Sequence, residues 1–280
     1  MTLHNQAKLN PSTVPGFIIG GHRCGTTLLR YLIDTHQDIA CPPESKFLSG
    51  LQEFLDFPQM LQALADMGLS RTELLAKLRY FSNSIFEDYV TKKQKRRWID
   101  KTPNYANILP FIDELYCGQA SYIIISRHPL DCVDSLNTYF RASRNHEDPE
   151  IAKMRSKHGL GKLACAHYWA ETYQRIRVFA ASCPQRAHYV KYEDLVQSPT
   201  TEMKKVFSFL GEIMPEGLLE RVFHQQHDLG YGDKKIRSSK AISHARIDKW
   251  KTWPNSEVQA LWEVVASSAK YFRYESPELH

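Results

Sequence analysis

One stretch constrains this chain more than any other: Phe17-Ile18-Ile19-Gly20-Gly21-His22-Arg23-Cys24-Gly25-Thr26-Thr27-Leu28-Leu29. Its apolar start, 17–19, reads as a short buried strand broken by two glycines. Gly25 then precedes a helical pattern that puts Leu28, Leu29, Leu32 and Ile33 on one face. A strand, a glycine-bearing turn and a helix N-terminus together form a cradle for a phosphate. Backbone N–H groups and the positive end of the helix dipole converge there.

The spacing Gly20-x4-Gly25-x-Thr27 differs from a Walker A loop at one position, with Thr26 where that loop has its lysine. The missing lysine serves β- and γ-phosphates, so its loss speaks against ATP chemistry. Arg23 supplies a cation elsewhere in the loop. Taken alone, the stretch also fits an ordinary βα turn whose glycines only permit close packing.

The 280 residues suffice for one large α/β domain with a full core. A net charge of +5 suits a small polyanion and falls far short of a nucleic-acid footprint. The six cysteines are scattered, with no C-x-x-C pair and no histidine cluster at ligand spacing, which predicts reduced thiols in a cytoplasmic protein and no metal. No apolar run approaches ~18 residues, so no membrane contact is expected.

Along the chain, residues 1–15 read as a poorly ordered lead-in. Strands are expected at 17–19, 39–41, 97–100, 121–126 and 188–192, and helices at 104–116, 163–183, 199–210 and 255–271. Residues 47–90 read as helical with breaks at Pro58 and Gly68, forming a wall or lid, and 141–162 as a mobile polar loop. A Gly-, Ser- and Lys-rich loop is expected over 228–248. Strands alternating with helices predict a doubly wound parallel sheet in a single domain spanning 1–280.

In such a sheet, ligands sit beyond the carboxyl ends of the strands. Those ends carry the phosphate-type loop, Lys101, Arg127 and Tyr192-Glu193-Asp194. In that order these segments resemble the sulfotransferases that use 3′-phosphoadenosine 5′-phosphosulfate (PAPS). The pattern is closest to the branch that includes tyrosylprotein, heparan-type and bacterial small-molecule enzymes. The matching segments run from residue 17 to about 251, while the acceptor-facing stretches between them do not match recognisably.

The family loop R-x-G-T-[TS]-L-L is met by Arg23-Cys24-Gly25-Thr26-Thr27-Leu28-Leu29, which implies binding of the 5′-phosphosulfate. The family's 3′-phosphate pair matches Arg127 and Ser135. Its adenosine-contacting aromatic matches Tyr192, and its closing basic loop resembles 234–249, with Lys249-Trp250 matching a Lys-Trp pair. Cys24 stands where serine is common.

Transfer of a sulfuryl group to a hydroxyl needs a base for the proton and a cation for charge growing on the leaving oxygens. Glu44, after the stiff Pro42-Pro43 segment, matches the family's glutamate base, and Lys101 in Asp100-Lys101-Thr102-Pro103 matches its lysine beside the bridging oxygen. Arg23 shares that work. His22 and His128 read as neighbours of the anion site, and His146 is kept as a second candidate base or acceptor contact. Pro43 replaces the acidic residue of the tyrosylprotein branch, which together with the missing anchor turns the expectation towards a small-molecule acceptor. A homodimer is left open. The competing readings are a P-loop small-molecule kinase and a non-catalytic nucleotide-binding protein.

Overall fold

Strand β1 (Gly16–Ile19) is buried along its whole length. Only a strand with neighbours on both sides and helices above and below reaches that state. The computed structural model, which describes residues 14–142, 149–228, 230 and 241–278, supplies both. Five parallel strands lie in the order β2-β3-β1-β4-β5, where β2 is Ile39–Ala40, β3 Arg97–Lys101, β4 Ser121–Ser126 and β5 Ala187–Lys191. Gly16 pairs with Ile99 on one side and with Ser121 on the other.

Alternation along the strands builds two cores. Phe17, Ile19, Trp98, Tyr122 and Ile124 point to one face. There they meet α4 (Arg71–Lys92), α5 (Leu109–Leu115), α6 (Pro129–Ala142), α8 (Lys162–Ser182) and α12 (Asn255–Tyr271). Ile18, Ile99, Ile123, Ile125 and Val190 point to the other, covered by α1 (Thr26–Asp34), α9 (Tyr192–Gln197) and α10 (Pro199–Phe209). This is the doubly wound sheet read from the sequence. The chain leaves β1 towards β2 and later crosses to β4 on its other side, so the carboxyl ends of β1 and β4 flank the topological switch point.

The segment expected to be helical over 47–90 forms three helices, α2 (Phe47–Leu55), α3 (Pro58–Asp66) and α4. Pro58 opens α3, and Gly68 follows its end at a positive φ of 85°. Three expectations are corrected. Residues 141–162 are not all loop: α7 (Pro149–His158) forms there because Ile151 and Met154, one turn apart, bury against the core of α8. The helix expected over 104–116 is divided, since Pro110 cannot continue the hydrogen bonding of the 3₁₀ turn Pro103–Asn107. Tyr192 opens α9 instead of ending β5. The lead-in at 1–13 lies outside the described residues, as do 229 and 231–240 of the expected loop. The last α-helix before α12 is the short α11 (Leu218–Arg221) among the described residues.

Phe17 sits at the centre of the larger core, with ring centroids of Trp98, Tyr116 and Tyr122 at 5.6, 5.7 and 6.0 Å. Phe17→Ala is expected to lower the unfolding free energy by about 3–5 kcal/mol, read from urea denaturation curves. A loss below about 1 kcal/mol would show that this cluster does not carry the fold.

Candidate active site

The loop between β1 and α1 is shaped by two left-handed residues, Arg23 at φ 66° and Gly25 at φ 93°. Gly25 is also the N-cap of α1, which has no side-chain cap. Glycine is required here twice over. The positive φ excludes most side chains, and a Cβ would lie 2.4 Å from Cδ2 of Tyr192. The tyrosine ring therefore rests against the loop backbone.

Arg127, leaving β4, lies beneath the same ring, its guanidinium carbon 4.9 Å from the centroid. It is 4% exposed. Its Nη1 donates to the Arg23 carbonyl at 3.1 Å and its Nη2 to the Arg246 carbonyl, while Nε has no hydrogen-bond partner among the described residues. Arg23 in turn donates through Nε to Ser135 Oγ at 3.2 Å. Arg23, Thr26, Thr27, Arg127, Ser135 and Tyr192 thus surround one cavity of about 230 Å³, closed on its far side by residues 241–243 and Arg246. Cationic side chains, a hydroxyl and an aromatic face around an uncapped helix start suit an anionic nucleotide.

Two of the expected contacts differ. The Cys24 side chain turns inward, its Sγ 2.8 Å from Cys132 Sγ, so only the backbone of this residue can serve the loop. Lys249 is exposed and does not line the cavity; Arg246, three residues earlier, does. The backbone N–H groups of Asp248 and Lys249 are instead bonded to the two oxygens of Asp131. Asp131 and Arg127 together pin the returning chain, and the sequence reading passed over Asp131 and Arg246. An acid in the first turn of α6, close after Arg127 in sequence, was the available signal.

Lys101 and Glu44 meet at 2.6 Å, with side chains only 1% and 7% exposed. They lie on the β3 side of the loop, since Ile18 of β1 pairs with Lys101, and neither lines the cavity. Burial pushes the Lys101 ammonium below the ordinary lysine range, and the Glu44 carboxylate opposes that shift. Lys46 approaches the other Glu44 oxygen at 4.0 Å from a more exposed position.

A network not foreseen from the sequence fixes the chain beside Glu44. The Ser45 hydroxyl donates to Asp100 Oδ2 at 2.6 Å and contacts Tyr105 Oη at 2.7 Å, and the Ser45 N–H donates to Thr102 Oγ1. Asp100 is completely buried, which pushes its carboxyl up to about 6. An acid inside the apolar run Trp98-Ile99-Asp100 signals such a tie.

His22 pairs with Asn104 at 2.9 Å, and its backbone N–H lies 3.4 Å from Tyr168 Oη. His128 stacks on Trp250 at 4.9 Å and 7°, behind Arg127 in sequence. His146 lies outside the described residues. The described residues His36, Asp38 and Glu212 converge within 4.8 Å, but Arg96 and Arg97 pair with these two carboxylates, so cations already occupy the position. No helix among the described residues is long and apolar enough to cross a membrane.

These residues gather at the switch point of a doubly wound α/β fold, the fold of a transferase. A sequence model of the sulfotransferase family matches residues 15–216, and the chain belongs to that family. Nodulation protein NoeE of Sinorhizobium fredii is 27% identical over 259 residues, covering 87% of this chain. The chain spans 61% of that relative's own length. Among solved structures, the sulfotransferase domain from the curacin biosynthetic pathway is 25% identical with a TM-score of 0.64, covering 95% of this chain and 99% of its own. The sulfotransferase domain of the Synechococcus PCC 7002 olefin synthase is also 25% identical, with a TM-score of 0.65 and coverage of 95% and 96%.

Burial holds the His128 imidazole down at about 4, against 6.5 for a free side chain. The unfolded chain therefore binds this proton more tightly, and the stability tied to it is lost as pH falls from 6.5 through about 4. Thermal midpoints followed across that window are expected to fall less steeply in His128→Asn than in the wild type. Parallel curves would remove His128 as the cause.

Proposed function

We propose that the protein transfers the sulfuryl group of PAPS to a hydroxyl or amine of a small-molecule acceptor, with Glu44 as general base and Lys101 as electrophilic stabiliser. The observation that carries this reading is the buried Lys101–Glu44 pair at 2.6 Å, set at the carboxyl edge next to the phosphate-type loop.

The residues fit the cofactor. The cavity is ringed by Arg23, Arg127 and Arg246, and the buried Arg127 Nε is unsatisfied among the described residues. The loop backbone at 23–27 would hold the 5′-phosphosulfate, Arg127 and Ser135 the 3′-phosphate, and Tyr192 the adenine side. When bound, PAPS supplies a sulfuryl group activated by a phosphate leaving group. The chain supplies the remainder. Held by the lysine, Glu44 is placed to accept the acceptor's proton. Lys101, almost without solvent, exerts its charge in a low dielectric, where it opposes negative charge far more strongly than in water. A hydroxyl or amine placed beside Glu44 would lose its proton to that carboxylate, and Lys101 would stabilise the charge left on the departing phosphate. A metal is not required by this scheme.

The names of the two domains at 25% identity, from the curacin pathway and an olefin synthase, support a biosynthetic small molecule as acceptor. Six free cysteines support a reducing cytoplasmic setting. The acceptor would enter past the helices at 47–92 and the α7 region. Sulfate transfer from labelled PAPS to a panel of alcohols, phenols and amines tests the reading. Glu44→Gln is expected to lower kcat by about 10²–10⁴ with the KM for PAPS little changed, and Lys101→Met to lower it comparably. Undiminished turnover in Glu44→Gln would overturn the base assignment. Cofactor binding without transfer to any acceptor would favour a non-catalytic role.

A further inference from the structure

Arg30 is a charged residue in a helix whose nine residues are all buried. It is 3% exposed, one turn beyond the phosphate-type loop. Such a charge is held only where its donors find acceptors. Its Nη1 donates to the Pro42 carbonyl at 3.1 Å and its Nη2 to the Asp228 carbonyl, while its Nε has no hydrogen-bond partner among the described residues. These acceptors belong to two segments far apart in sequence. The first is the stiff lead into Glu44. The second enters the chain that returns over the cofactor side, and its Asp228 side chain is itself bonded to Tyr89 and Lys93 of the α4 region.

The two segments also touch directly. A Cβ on Gly230 would lie 2.7 Å from Pro43 Cβ and 3.6 Å from the Glu44 nitrogen. Glycine is needed there so that the returning chain can press against the proline. Arg30 therefore bridges the two strips of backbone on one side of the base, and Gly230 closes the gap between them.

We propose that Arg30 is a positioning residue, which with Gly230 clamps 42–44 against Asp228 and Gly230 and so sets Glu44 at Lys101. This rests on the reading of Glu44 as base. The planar guanidinium fork serves two carbonyls at once, which neither methionine nor a single ammonium reproduces. Losing the clamp leaves both carbonyls unpaired and lets Glu44 drift, and displacement of a reacting group by about 1 Å costs as much as ~10²-fold in rate. The cofactor cavity is untouched, because Arg30 does not line it.

The test uses Arg30→Met, Arg30→Lys and Gly230→Ala. Calorimetric titration with 3′-phosphoadenosine 5′-phosphate gives the fraction of binding-competent protein, by which kcat is normalised. We expect kcat per competent molecule to fall at least about tenfold in Arg30→Met and Gly230→Ala, with partial recovery in Arg30→Lys. The KM for PAPS is expected to stay within about twofold. Amide hydrogen exchange at 44–46 is expected to quicken in the same variants. A merely structural arginine would reduce the competent fraction and leave normalised kcat unchanged. Wild-type kcat with wild-type exchange in both Arg30→Met and Gly230→Ala would overturn the proposal. If Glu44→Gln keeps full turnover, the base reading fails instead, and the exchange rates alone still decide whether the clamp exists.

Discussion

The arrangement depends on where one buried guanidinium puts its donors. Arg127 leaves the sheet at β4, next to the strand that carries the loop, and bonds the backbone of both that loop and the returning chain at 246. Its flat face is covered by Tyr192, which in turn presses on Gly25. Four segments distant in sequence are thereby fixed around one cavity. A lysine could not do this, since a single ammonium lacks the planar fork and the stacking face. Among the described residues no carboxylate pairs with this guanidinium, an arrangement that suits an anion in the cavity.

A second electrostatic unit lies beside the first. Lys101 and Glu44 are buried together, and Asp100 below them holds the Glu44 segment through Ser45. Burial raises the Asp100 carboxyl and lowers the Lys101 ammonium, so each group is less comfortable charged than it would be in water. The pairing and the hydrogen bonds offset that cost. Ionisable groups held in such a balance at the rim of a phosphate-type site are characteristic of places where protons move.

Much of this was legible in the sequence because it is local. The run 17–29 encodes strand, turn and helix in consecutive residues, and the continuous apolar run within 121–126 encodes a strand buried on both faces. Arg23, Arg127, Ser135 and Tyr192 were read in order along the chain, and they meet around one cavity. What escaped was set by contacts between distant segments. The inward turn of Cys24 follows from a partner 108 residues away. The roles of Asp131 and Arg246 arise only when the returning chain reaches α6. The burial of Arg30 follows only from the 42–44 segment and Asp228, whose carbonyls meet its guanidinium. The α7 helix was hidden by the polar residues around it, because only Ile151 and Met154 mark its buried side.

The central claim is that the cavity under Tyr192 is built for a nucleotide with a second phosphate and not for a triphosphate with its metal. Isothermal titration calorimetry with 3′-phosphoadenosine 5′-phosphate and with ATP–Mg²⁺, on the wild type and Arg127→Ala, tests it most directly. Metal-independent binding of the bisphosphate is expected, weakened by at least about 2 kcal/mol in the variant, with little affinity for ATP–Mg²⁺. A preference for ATP–Mg²⁺, or bisphosphate binding indifferent to loss of Arg127, would contradict it.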